Sequence, residues 1–507
     1  MTEELNEQQA IRREKLNKIR EQRYPYPNDV CVTANSEQIK DMVKVATAEE
    51  LSEEDRAKGV ELLKSKEFTL AGRLMSQRLM GKAAFSHLND SAGQVQFYIR
   101  KDDVGEEMFA EYKNLDLGDI VEITGYPFKT KTGEPSVHVT KIRLLAKCLN
   151  PLPEKWHGLT DKELRYRQRY VDLIVNPQVR EVFVKRSQIV QYIRDFFFQR
   201  GYIEAETPLL SSIASGASAK PFDTYHNALN LDLHLRISPE LHLKRMIVGG
   251  FDRVFDMGKS FRNEGISVKH NPEFTIIEFY QAYATYHDMM DIIEALIGEL
   301  CDNVIGSRQI EYGDKVIDYT SPWKRITMVD AIYEYLNIPR NIDLYTLEGV
   351  KKAAELAGFG GVADETDYGL ALYELFDTQV ESKLINPVFI TKHPLVISPL
   401  ARTSLDDMRF VDRFELFVNG MELANAFSEL NDPEDQKQRF LKQVEAKNAG
   451  DEEAMQMDED FVTALSYAMP PTAGQGMGVD RLVMLLTGQT SIRDVILFPL
   501  MRPECNL

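Results

Sequence analysis

Cysteine is scarce in this chain of 507 residues. The four cysteines stand far apart, at Cys31, Cys148, Cys301 and Cys505. They form neither a C-x-x-C redox pair nor the paired spacing of a zinc knuckle. Because a disulfide framework is unusual in a chain this long, we expect reduced thiols and a cytoplasmic location.

Long apolar runs and an excess of positive charge are also missing. The longest apolar run, LVMLL at residues 482–486, is far shorter than the roughly 20 residues that span a membrane. The N-terminal segment is charged throughout, so we expect no signal peptide. Lysine and arginine number 60 against 79 aspartates and glutamates, a formal net charge of −19. This balance argues against a protein that coats DNA or an anionic membrane, although it leaves room for a local basic surface.

The common nucleotide-binding and hydrolase motifs are absent. There is no G-x-x-x-x-G-K-[ST] loop and no strand-linked G-x-G-x-x-G, so neither a P-loop nor a Rossmann site is indicated. There is no Ser-His-Asp elbow and no H-E-x-x-H. If the protein is an enzyme that acts on phosphates, it must bind them in another way.

The first 149 residues predict a helical extension followed by a small barrel. Charged helices are indicated at 4–23 and 47–66, which places the extension at residues 1–67. Residues 68–149 contain five short β-like runs separated by turn residues, which is typical of an OB-type barrel. Such barrels often bind oligonucleotides on an exposed strand face; a barrel that only packs against its neighbour is the alternative.

One run of the barrel shows clear alternation. In GQVQFYIRK the side chains of Val95, Phe97 and Ile99 share one strand face, which predicts the core side. Phe85 and Tyr98 suit either core or rim; taken alone, each is interpreted as a core residue.

Residues 150–507 predict one large α+β domain, an antiparallel sheet flanked by helices. Helices are indicated at 178–200, 239–248 and 286–303, and β-rich runs at 229–237, 253–257, 273–280, 411–418 and 421–430. Residues 341–384 are mainly helical and are interpreted as an insertion.

Two basic segments could meet nucleic-acid backbone. The first helix carries Arg12, Arg13, Lys15, Lys18, Arg20 and Arg23, and the segment after the barrel carries Lys162, Arg165, Arg167 and Arg169. A solvated helix face is the plain alternative for each segment.

A predicted hairpin at residues 255–283 combines charge with apolar strand faces. Arg262 and Glu264 have the i, i+2 spacing that would put both on one face of its first strand. Glu278 lies on an otherwise apolar face of the second strand, where an unpaired carboxylate is costly to bury. It is therefore a candidate ligand for a cation, with a structural ion pair as the alternative.

Two further segments are unusual in their small residues. Gly474, Gly476 and Gly478 alternate along a predicted strand and leave one face bare for a flat ligand, and Arg481 follows at a helix start, where it can reach a phosphate. Pro208, after a long helix, precedes a small-residue stretch at 216–219. Each segment alone is more simply an ordinary loop or turn.

Together, the Pro208 segment, the hairpin at 255–283 and the glycine segment at 474–481 resemble motifs one, two and three, respectively, of class II aminoacyl-tRNA synthetases. The barrel in front resembles the anticodon-binding domain of subgroup IIb. FRNEGISVKHNPEFT, FSELND and PPTAGQGMGVDRLVMLL are similar to the bacterial lysyl-tRNA synthetase family, and the resemblance covers nearly the whole chain. It implies lysine–tRNA ligase activity: L-lysine and ATP give lysyl-adenylate and pyrophosphate, and lysine is then transferred to the 3′ end of tRNA(Lys).

The resemblance also implies the lysine-binding residues. Glu429 and Tyr280 would hold the ε-ammonium; Glu240, Glu278 and the backbone near Gly216 would hold the α-ammonium. Asn425 and Arg262 would meet the carboxylate, and Phe427 would line the aliphatic stem. Carboxylates are the partners that two buried ammonium groups require.

For ATP, the resemblance implies that Phe274 and Arg481 sandwich the adenine, with Arg262 and Arg481 as the catalytic residues. Arg262 would meet the α-phosphate, Glu264 the adenine, and His270 and Asn271 the phosphates or adenine edge. Glu415 and Glu422 stand on successive strands of a predicted hairpin around Asn419 and Gly420, and two converging carboxylates suit Mg²⁺.

By the same resemblance, Arg78, Phe85 and Gln96 would read the anticodon, and motif one would form a homodimer interface. An aromatic ring and an amide suit a splayed single-stranded base. No membrane or DNA partner is expected. Two rival interpretations are a related enzyme that lysylates a protein, which lacks the barrel, and a non-catalytic OB-type RNA-binding protein.

Overall fold

The computed structural model describes residues 6–153, 159–214, 216–451 and 453–503. Cys505 and the start of the helix predicted at 4–23 lie outside the described residues. The chain forms two compact units, Met1–Gly158 and Leu159–Leu507. Within the described residues, no helix is long and apolar enough to cross a membrane.

The first unit is a five-stranded barrel with accompanying helices. Its strands are β1 (Phe68–Met80), β2 (Ala83–Asn89), β3 (Gln94–Arg100), β4 (Ile120–Lys129) and β5 (Pro135–Ala146), and the barrel closes in the order β1-β2-β3-β5-β4. Its helices are α1 (Glu7–Gln22), α2 (Ser36–Ala46), α3 (Glu53–Lys64), α4 (Lys101–Val104) and α5 (Glu106–Lys113). Helix α2 was not predicted, and α4 and α5 replace a connection that was expected to be a turn. The barrel is closed, as the predicted OB fold requires.

Strand alternation sorts the barrel's side chains as expected. Val95, Phe97 and Ile99 are buried, and Phe109 of α5 joins them in the core. Phe85 in β2 and Tyr98 in β3 lie on the strand faces opposite the core, and both are only partly buried. The interpretation of these two aromatic residues as core is therefore wrong, because the alternation directs them outward.

The second unit is built on an eight-stranded sheet. Its strands are β6 (Ile203–Glu204), β7 (Leu210–Ser211), β8 (Asp223–His226), β9 (Leu231–Leu235), β10 (Arg253–Phe261), β11 (Glu273–Ala282), β12 (Gln309–Tyr312), β13 (Lys315–Asp318), β14 (Lys324–Thr327), β15 (Val388–Thr391), β16 (Arg413–Phe417), β17 (Glu422–Ser428) and β18 (Thr472–Gly478). The large sheet has the order β14-β15-β16-β17-β18-β11-β10-β6, and β12-β13 and β7-β9-β8 form two small sheets. The pairs from β15 to β10 are antiparallel. This confirms the predicted α+β class.

Helices cover the sheet and fill the connections. They are α6 (Lys162–Arg167), α7 (Arg169–Val175), α8 (Pro177–Gln199), α9 (Glu240–Val248), α10 (Tyr286–Leu300), α11 (Met328–Tyr335), α12 (Leu347–Leu356), α13 (Tyr368–Gln379), α14 (Pro433–Asn448), α15 (Glu459–Leu465), α16 (Val479–Leu486) and α17 (Ile492–Val495). A π-helical turn (Cys301–Ile305) and two 3-10 turns (Glu381–Lys383 and Leu395–Ile397) complete the set in the described residues. Helices α12 and α13 occupy the predicted insertion.

The centre of the sheet positions the site. Strands β17, β18 and β11 are neighbours, and their register aligns Asn425 with Gly476 and Gly476 with Glu278. Ile277 and Phe279 alternate with these positions and pack into a core that also contains residues of α8, α10 and α16. One face of the sheet is thus committed to the core, which leaves the opposite face for a ligand.

Candidate active site

A cleft with an empty volume of about 1080 Å³ lies over the strands at the centre of the sheet. Most residues predicted for lysine and ATP line it: Gly216, Glu240, Arg262, Glu264, His270, Asn271, Phe274, Glu278, Tyr280, Glu422, Asn425, Phe427 and Arg481. Glu415 and Glu429 are buried close by. Residues from nearly 270 positions of sequence therefore converge on one surface.

The hairpin β10–β11 presents the first cationic group. Strand β10 ends at Phe261, so Arg262 and Glu264 lie in the connecting loop and not on a strand face. This part of the prediction is wrong, because the ladder ends where Arg262 N–H donates to Pro272 O at 2.9 Å. Both residues nevertheless line the cleft.

The Arg262 guanidinium faces the aromatic floor of the cleft. Its central carbon lies 5.2 Å from the ring centroid of Phe274, a cation–π distance. Its Nε is buried and has no hydrogen-bond partner among the described residues. A buried guanidinium donor without a partner favours an anionic ligand at this place.

The other end of the cleft is acidic, with the carboxyl groups of Glu240, Glu278 and Glu429. Ser238 Oγ donates to Glu278 Oε1 at 2.8 Å, and Tyr280 Oη donates to Glu278 Oε2 at 3.2 Å. Burial and the negative charge of Glu240 raise the pKa of Glu278 to about 8. Burial also raises the pKa of the Tyr280 phenol, so this hydroxyl stays a hydrogen-bond donor.

The alternating glycines form the floor of this end. A Cβ at Gly474 would lie 2.1 Å from Tyr280 Cε1 and 2.4 Å from Glu429 Oε1, so both side chains cross the space that glycine leaves. A Cβ at Gly476 or Gly478 would meet its protein neighbours only at 3.5 Å or more. These two glycines keep the floor open to a ligand, while Gly474 admits the tyrosine and the glutamate.

Gly216 completes the acidic end from the motif-one loop. Its φ is +93°, a left-handed conformation that favours glycine. An added Cβ would contact Ser238 Oγ and Glu240 Cβ at 3.5 Å. The backbone here is therefore close to Glu240 and to Ser238, the residue that donates to Glu278.

Lys244 is a charged residue of this region that the sequence analysis missed. Its ammonium is completely buried and forms ion pairs with Glu240, at 2.5 Å, and with Glu429. Although burial alone would lower it, the two carboxylates raise the pKa of Lys244. Its i, i+4 spacing from Glu240 on one helix was the available signal.

The ATP end contains a linked arginine and histidine. Arg481, in the first turn of α16, donates from Nη1 to Glu422 O at 2.5 Å and from Nη2 to His270 Nε2 at 3.1 Å. Partial burial and the Arg481 charge lower the pKa of His270. The neutral ring accepts from Arg481, and its Nδ1 then donates to Ser267 Oγ at 2.9 Å.

Asn271 adds an unsatisfied polar atom to the same end. Its side-chain amide donates to Glu273 O at 2.6 Å, while its buried Oδ1 has no partner among the described residues. An unpaired buried acceptor favours a ligand donor, such as an amino group on a base edge.

The hairpin β16–β17 brings two carboxyl groups together. Asn419 and Gly420 have φ values of +51° and +62°, as an Asn-Gly two-residue turn requires, and Val418 and Met421 close it with paired backbone hydrogen bonds. Burial raises the pKa of Glu415. Burial and the charge of Glu415 raise the pKa of Glu422.

This pair fits magnesium shared with a phosphate ligand. Oxygen ligands and two mutually repelling carboxyl groups suit a hard divalent cation. The described parts of the chain contain no group of three or more His, Cys, Asp or Glu side chains able to hold a metal. Further ligands would therefore have to come from the nucleotide and from water.

Arg413 is a second residue that sequence reasoning missed. It donates to Asn425 Oδ1 at 2.9 Å and to Glu415 Oε1 at 2.5 Å. Asn425 thereby has its carbonyl oxygen occupied, which leaves its amide donors for a ligand carboxylate.

The barrel unit carries its own polar and aromatic surface. Arg78 is exposed and pairs in register with Phe85, whose ring lies 4.9 Å from that of Tyr98. Ser136 Oγ donates to Gln96 Oε1 at 2.9 Å, so the Gln96 amide remains a donor. The aromatic patch, defined as Phe85, Tyr98, Tyr126, Phe128 and His138, extends this surface beyond the predicted residues.

Most cations of the first helix contact their own unit. Arg12 is buried and donates to the carbonyls of Leu117 and Cys148. Lys15 pairs with Asp116 at 2.7 Å, and Arg23 pairs with Glu111 at 3.0 Å. For these residues the structure favours a packing role over contact with nucleic acid.

The second basic segment is also internally paired. Arg169 is completely buried against Asp172, at 2.7 Å, and Arg165 pairs with the same carboxylate at 2.9 Å. The expectation that Arg169 meets phosphate is wrong, because its guanidinium also donates to the carbonyls of Leu497 and Arg493.

Comparisons with known proteins agree with this architecture. A family model of class II tRNA synthetases (D, K and N) matches residues 161–502, and a model of the OB-fold nucleic acid binding domain matches residues 68–145. A lysine–tRNA ligase of Carboxydothermus hydrogenoformans is 50% identical over 503 residues, 99% of each chain. Those of Serratia proteamaculans and Clostridium tetani are 49% and 53% identical over 504 and 448 residues, which cover 99% and 88% of this chain and 97% and 89% of their own.

Proposed function

Because the chain belongs to the class II tRNA synthetases (D, K and N), we propose that it activates L-lysine with ATP and transfers it to tRNA, as a lysine–tRNA ligase. The observation that carries the choice of lysine is the acidic end of the cleft. Glu240 and Glu278 line the same cleft as Tyr280 and Arg262, and the buried Glu429 lies beside Tyr280 at Gly474. Two ammonium groups and one carboxylate are the complement of this arrangement.

We assign the ε-ammonium of lysine to Glu429 and Tyr280. Glu429 is buried, and its Oε1 has no hydrogen-bond partner among the described residues. A shorter or neutral side chain would leave this oxygen without a donor, which discriminates strongly against such amino acids. Phe427, which lines the cleft, supports the aliphatic stem.

We assign the main-chain groups of lysine to the next positions along the strands. Glu240, Glu278 and the backbone at Gly216 hold the α-ammonium. The amide of Asn425 and the Arg262 guanidinium hold the carboxylate. This orientation directs the carboxylate toward the ATP end, where Arg481 and His270 are linked.

Activation then depends on position and charge. The lysine carboxylate is already ionised at neutral pH and attacks the α-phosphorus of ATP without a general base. The Arg262 guanidinium, whose Nε has no partner among the described residues, stabilises negative charge that develops on the α-phosphate. Pyrophosphate leaves, and lysyl-adenylate stays in the cleft.

The nucleotide would be held by the residues of the ATP end. Phe274 and Arg481 offer faces for the adenine; Glu264 and Asn271 offer acceptors for its amino group. Glu415 and Glu422 would hold magnesium, which, when bound, neutralises charge on the phosphate oxygens.

The barrel supplies the tRNA contact in this proposal. Arg78, Phe85 and Gln96 read an anticodon base by charge, stacking and an amide donor, and the aromatic patch offers further stacking surfaces. The 3′ end of the tRNA then takes lysine from the adenylate. No role with DNA is proposed.

We further propose a homodimer and a cytoplasmic location. Phe198, Ile203, Leu209 and Phe251 are between 42% and 51% exposed, near motif one, and such exposed apolar residues are typical of an interface. Sedimentation of the purified protein would give the mass of a dimer; a monomer at micromolar concentration would contradict this.

Amino-acid-dependent exchange of pyrophosphate into ATP tests the main proposal. All twenty amino acids are compared, and lysine alone should support exchange. Exchange with aspartate or asparagine but not lysine would refute the assignment. Arg262→Ala should lose lysine-dependent exchange, and a variant that keeps it would remove Arg262 from its catalytic role.

A second experiment tests the barrel surface. Phe85→Ala should raise the KM for tRNA in aminoacylation by about 5- to 150-fold, since stacking of one base contributes roughly 1–3 kcal/mol. Tyr24→Ala is the matched control, because Tyr24 is an exposed aromatic residue of the same unit outside the patch. Equal effects of the two substitutions would contradict the assignment.

A further inference from the structure

Among the described residues, Lys244 is the one buried cation that forms ion pairs with carboxylates of the acidic end of the cleft. It has no role in the proposed reaction as described above. Its side chain is fully buried, between Glu240 of its own helix and Glu429 after β17. The rings of Phe427, Tyr280 and Phe461 surround the ammonium at 5.3, 5.9 and 5.9 Å. A lysine is rarely placed so deeply unless its charge is needed.

The charges at this end can be counted. Glu240, Glu278 and Glu429 contribute −3 when all are ionised, and Lys244 contributes +1, so the net charge is −2. The two ammonium groups of L-lysine carry +2. Without Lys244, the three ionised carboxylates would carry one more negative charge than the two ammonium groups of the substrate could neutralise.

The other charged groups near these carboxylates do not alter that sum. Arg236 lies close to Glu278 but forms a buried ion pair with Asp256, at 2.7 Å. Arg245, the next residue along α9, pairs with Asp458 at 2.8 Å. Because Arg245 also pairs with Asp460, at 2.9 Å, both arginines are balanced by carboxylates outside the acidic end.

We propose that Lys244 is a positioning residue that matches the acidic end of the cleft to a dicationic substrate, by favouring the ionised form of Glu429 and by orienting Glu240 and Glu429 for the two ammonium groups of lysine. The inference rests on the proposed function and extends it to a residue that does not line the cleft. In its absence, the Glu429 carboxyl group would hold a proton more firmly, because an unpaired buried carboxylate is unfavourable. That proton would have to leave before an ammonium group could bind.

Calorimetric titration of L-lysine into the full-length protein at pH 7 tests this. Measurement in buffers of different ionisation enthalpy gives both the affinity and the number of protons released. Lys244→Met and Lys244→Gln should each bind lysine at least about tenfold more weakly, the equivalent of one pKa unit. Each should release about one more proton per bound lysine than the wild type. Lys244→Gln keeps a hydrogen-bond donor between the carboxyl groups and serves if the methionine variant does not fold.

Two controls separate charge from packing. Lys244→Arg keeps the positive charge and should release the wild-type number of protons, even if its size weakens binding. Lys147→Met removes another buried lysine, one that is paired with Asp116 and Asp119, and should leave both affinity and proton number unchanged. A neutral Lys244 variant with wild-type proton release would overturn the inference. Wild-type protein that binds no lysine would instead contradict the proposed function.

Discussion

At the scale of single residues, Gly474 shows how a missing side chain defines a pocket. Its Cα faces the ring of Tyr280 and the carboxyl group of Glu429, and any Cβ would enter the space that both occupy. The pocket therefore depends on glycine here for reasons of protein packing, before any ligand is considered.

Gly474→Ala should therefore weaken lysine binding. Displacement of Tyr280 and Glu429 by overpacking costs about 2 kcal/mol, which corresponds to on the order of 30-fold in the KM for lysine. The KM for ATP should change less, since the ATP end lies further along the cleft. Pyrophosphate exchange at varied lysine and ATP gives both constants. Gly360→Ala is the control, because a Cβ there meets nothing within 4 Å; equal effects would contradict the packing argument.

Glu278 gives the ligand-free protein a pH-dependent stability. Its carboxyl pKa is about 8 in the folded state, against an ordinary value of 4.5. Between these values the folded protein holds a proton that the unfolded chain has lost, so the free energy of unfolding falls as pH rises from 4.5 to 8. Ionisation of Glu278 lowers the free energy of unfolding by at most about 5 kcal/mol, and this decrease is complete above pH 8.

Urea unfolding at several pH values between 5 and 9 measures this effect. Glu278→Gln has no proton to lose at this position, so its stability should fall less steeply than that of the wild type. Saturating lysine should flatten the wild-type curve, because it binds the ionised carboxylate. Parallel curves for the wild type and the variant would show that Glu278 does not carry the dependence.

At the scale of elements, the β16–β17 hairpin links backbone geometry to the two carboxyl groups assigned to magnesium. Gly420 has φ of +62°, and a Cβ there would lie 3.0 Å from Ser382 Cα. Gly420→Ala should cost about 1 kcal/mol of stability and misalign Glu415 and Glu422. The magnesium concentration that gives half-maximal exchange should rise several-fold.

Asn419→Gly is the matched control for the hairpin. Glycine tolerates the positive φ of position 419, so the turn should form and the magnesium requirement should stay near that of the wild type. If both substitutions shifted the requirement equally, the turn geometry at Gly420 would not be the cause.

The elements also show what sequence could predict. The five barrel strands and the β16–β17 hairpin follow from alternation and turn residues, which are local signals. Helix α2 carries a capping box at Asn35 and a buried pair, Ile39 and Val43, that could have been read in the same way. Most predicted cleft residues lie together, because strand register brings them there.

Long-range partners explain what sequence could not predict. Arg169 lies in a closely spaced basic run, as an RNA-binding arginine would. Its buried contacts with Asp172 and with the distant carbonyl groups of Leu497 and Arg493 show that it stabilises the fold instead. The roles of Arg413 and Lys244 likewise depend on residues outside their own elements, Asn425 for Arg413 and Glu429 for Lys244. The residue type indicates which ligands a side chain could bind, but the tertiary contacts determine whether its charge is already paired within the protein.

At the scale of the whole molecule, the net charge of −19 coexists with a proposed RNA partner. Part of this negative charge lies in the buried carboxylates of the cleft. Several cations that could have met RNA are paired within their own units, including Arg12, Lys15 and Arg169. Contact with phosphate must therefore rely on other cations that are exposed.

Binding of tRNA should be weakened by salt in spite of the acidic total, because the effect depends on the local phosphate contacts. Each neutralised phosphate of a single-stranded segment contributes about −0.7 to the slope of log K against log salt. Arg78→Gln should reduce that slope by about this amount if Arg78 meets an anticodon phosphate. Arg13→Gln tests the first helix at an exposed position. A slope reduced by Arg13→Gln but not by Arg78→Gln would move the RNA contact from the barrel face to α1.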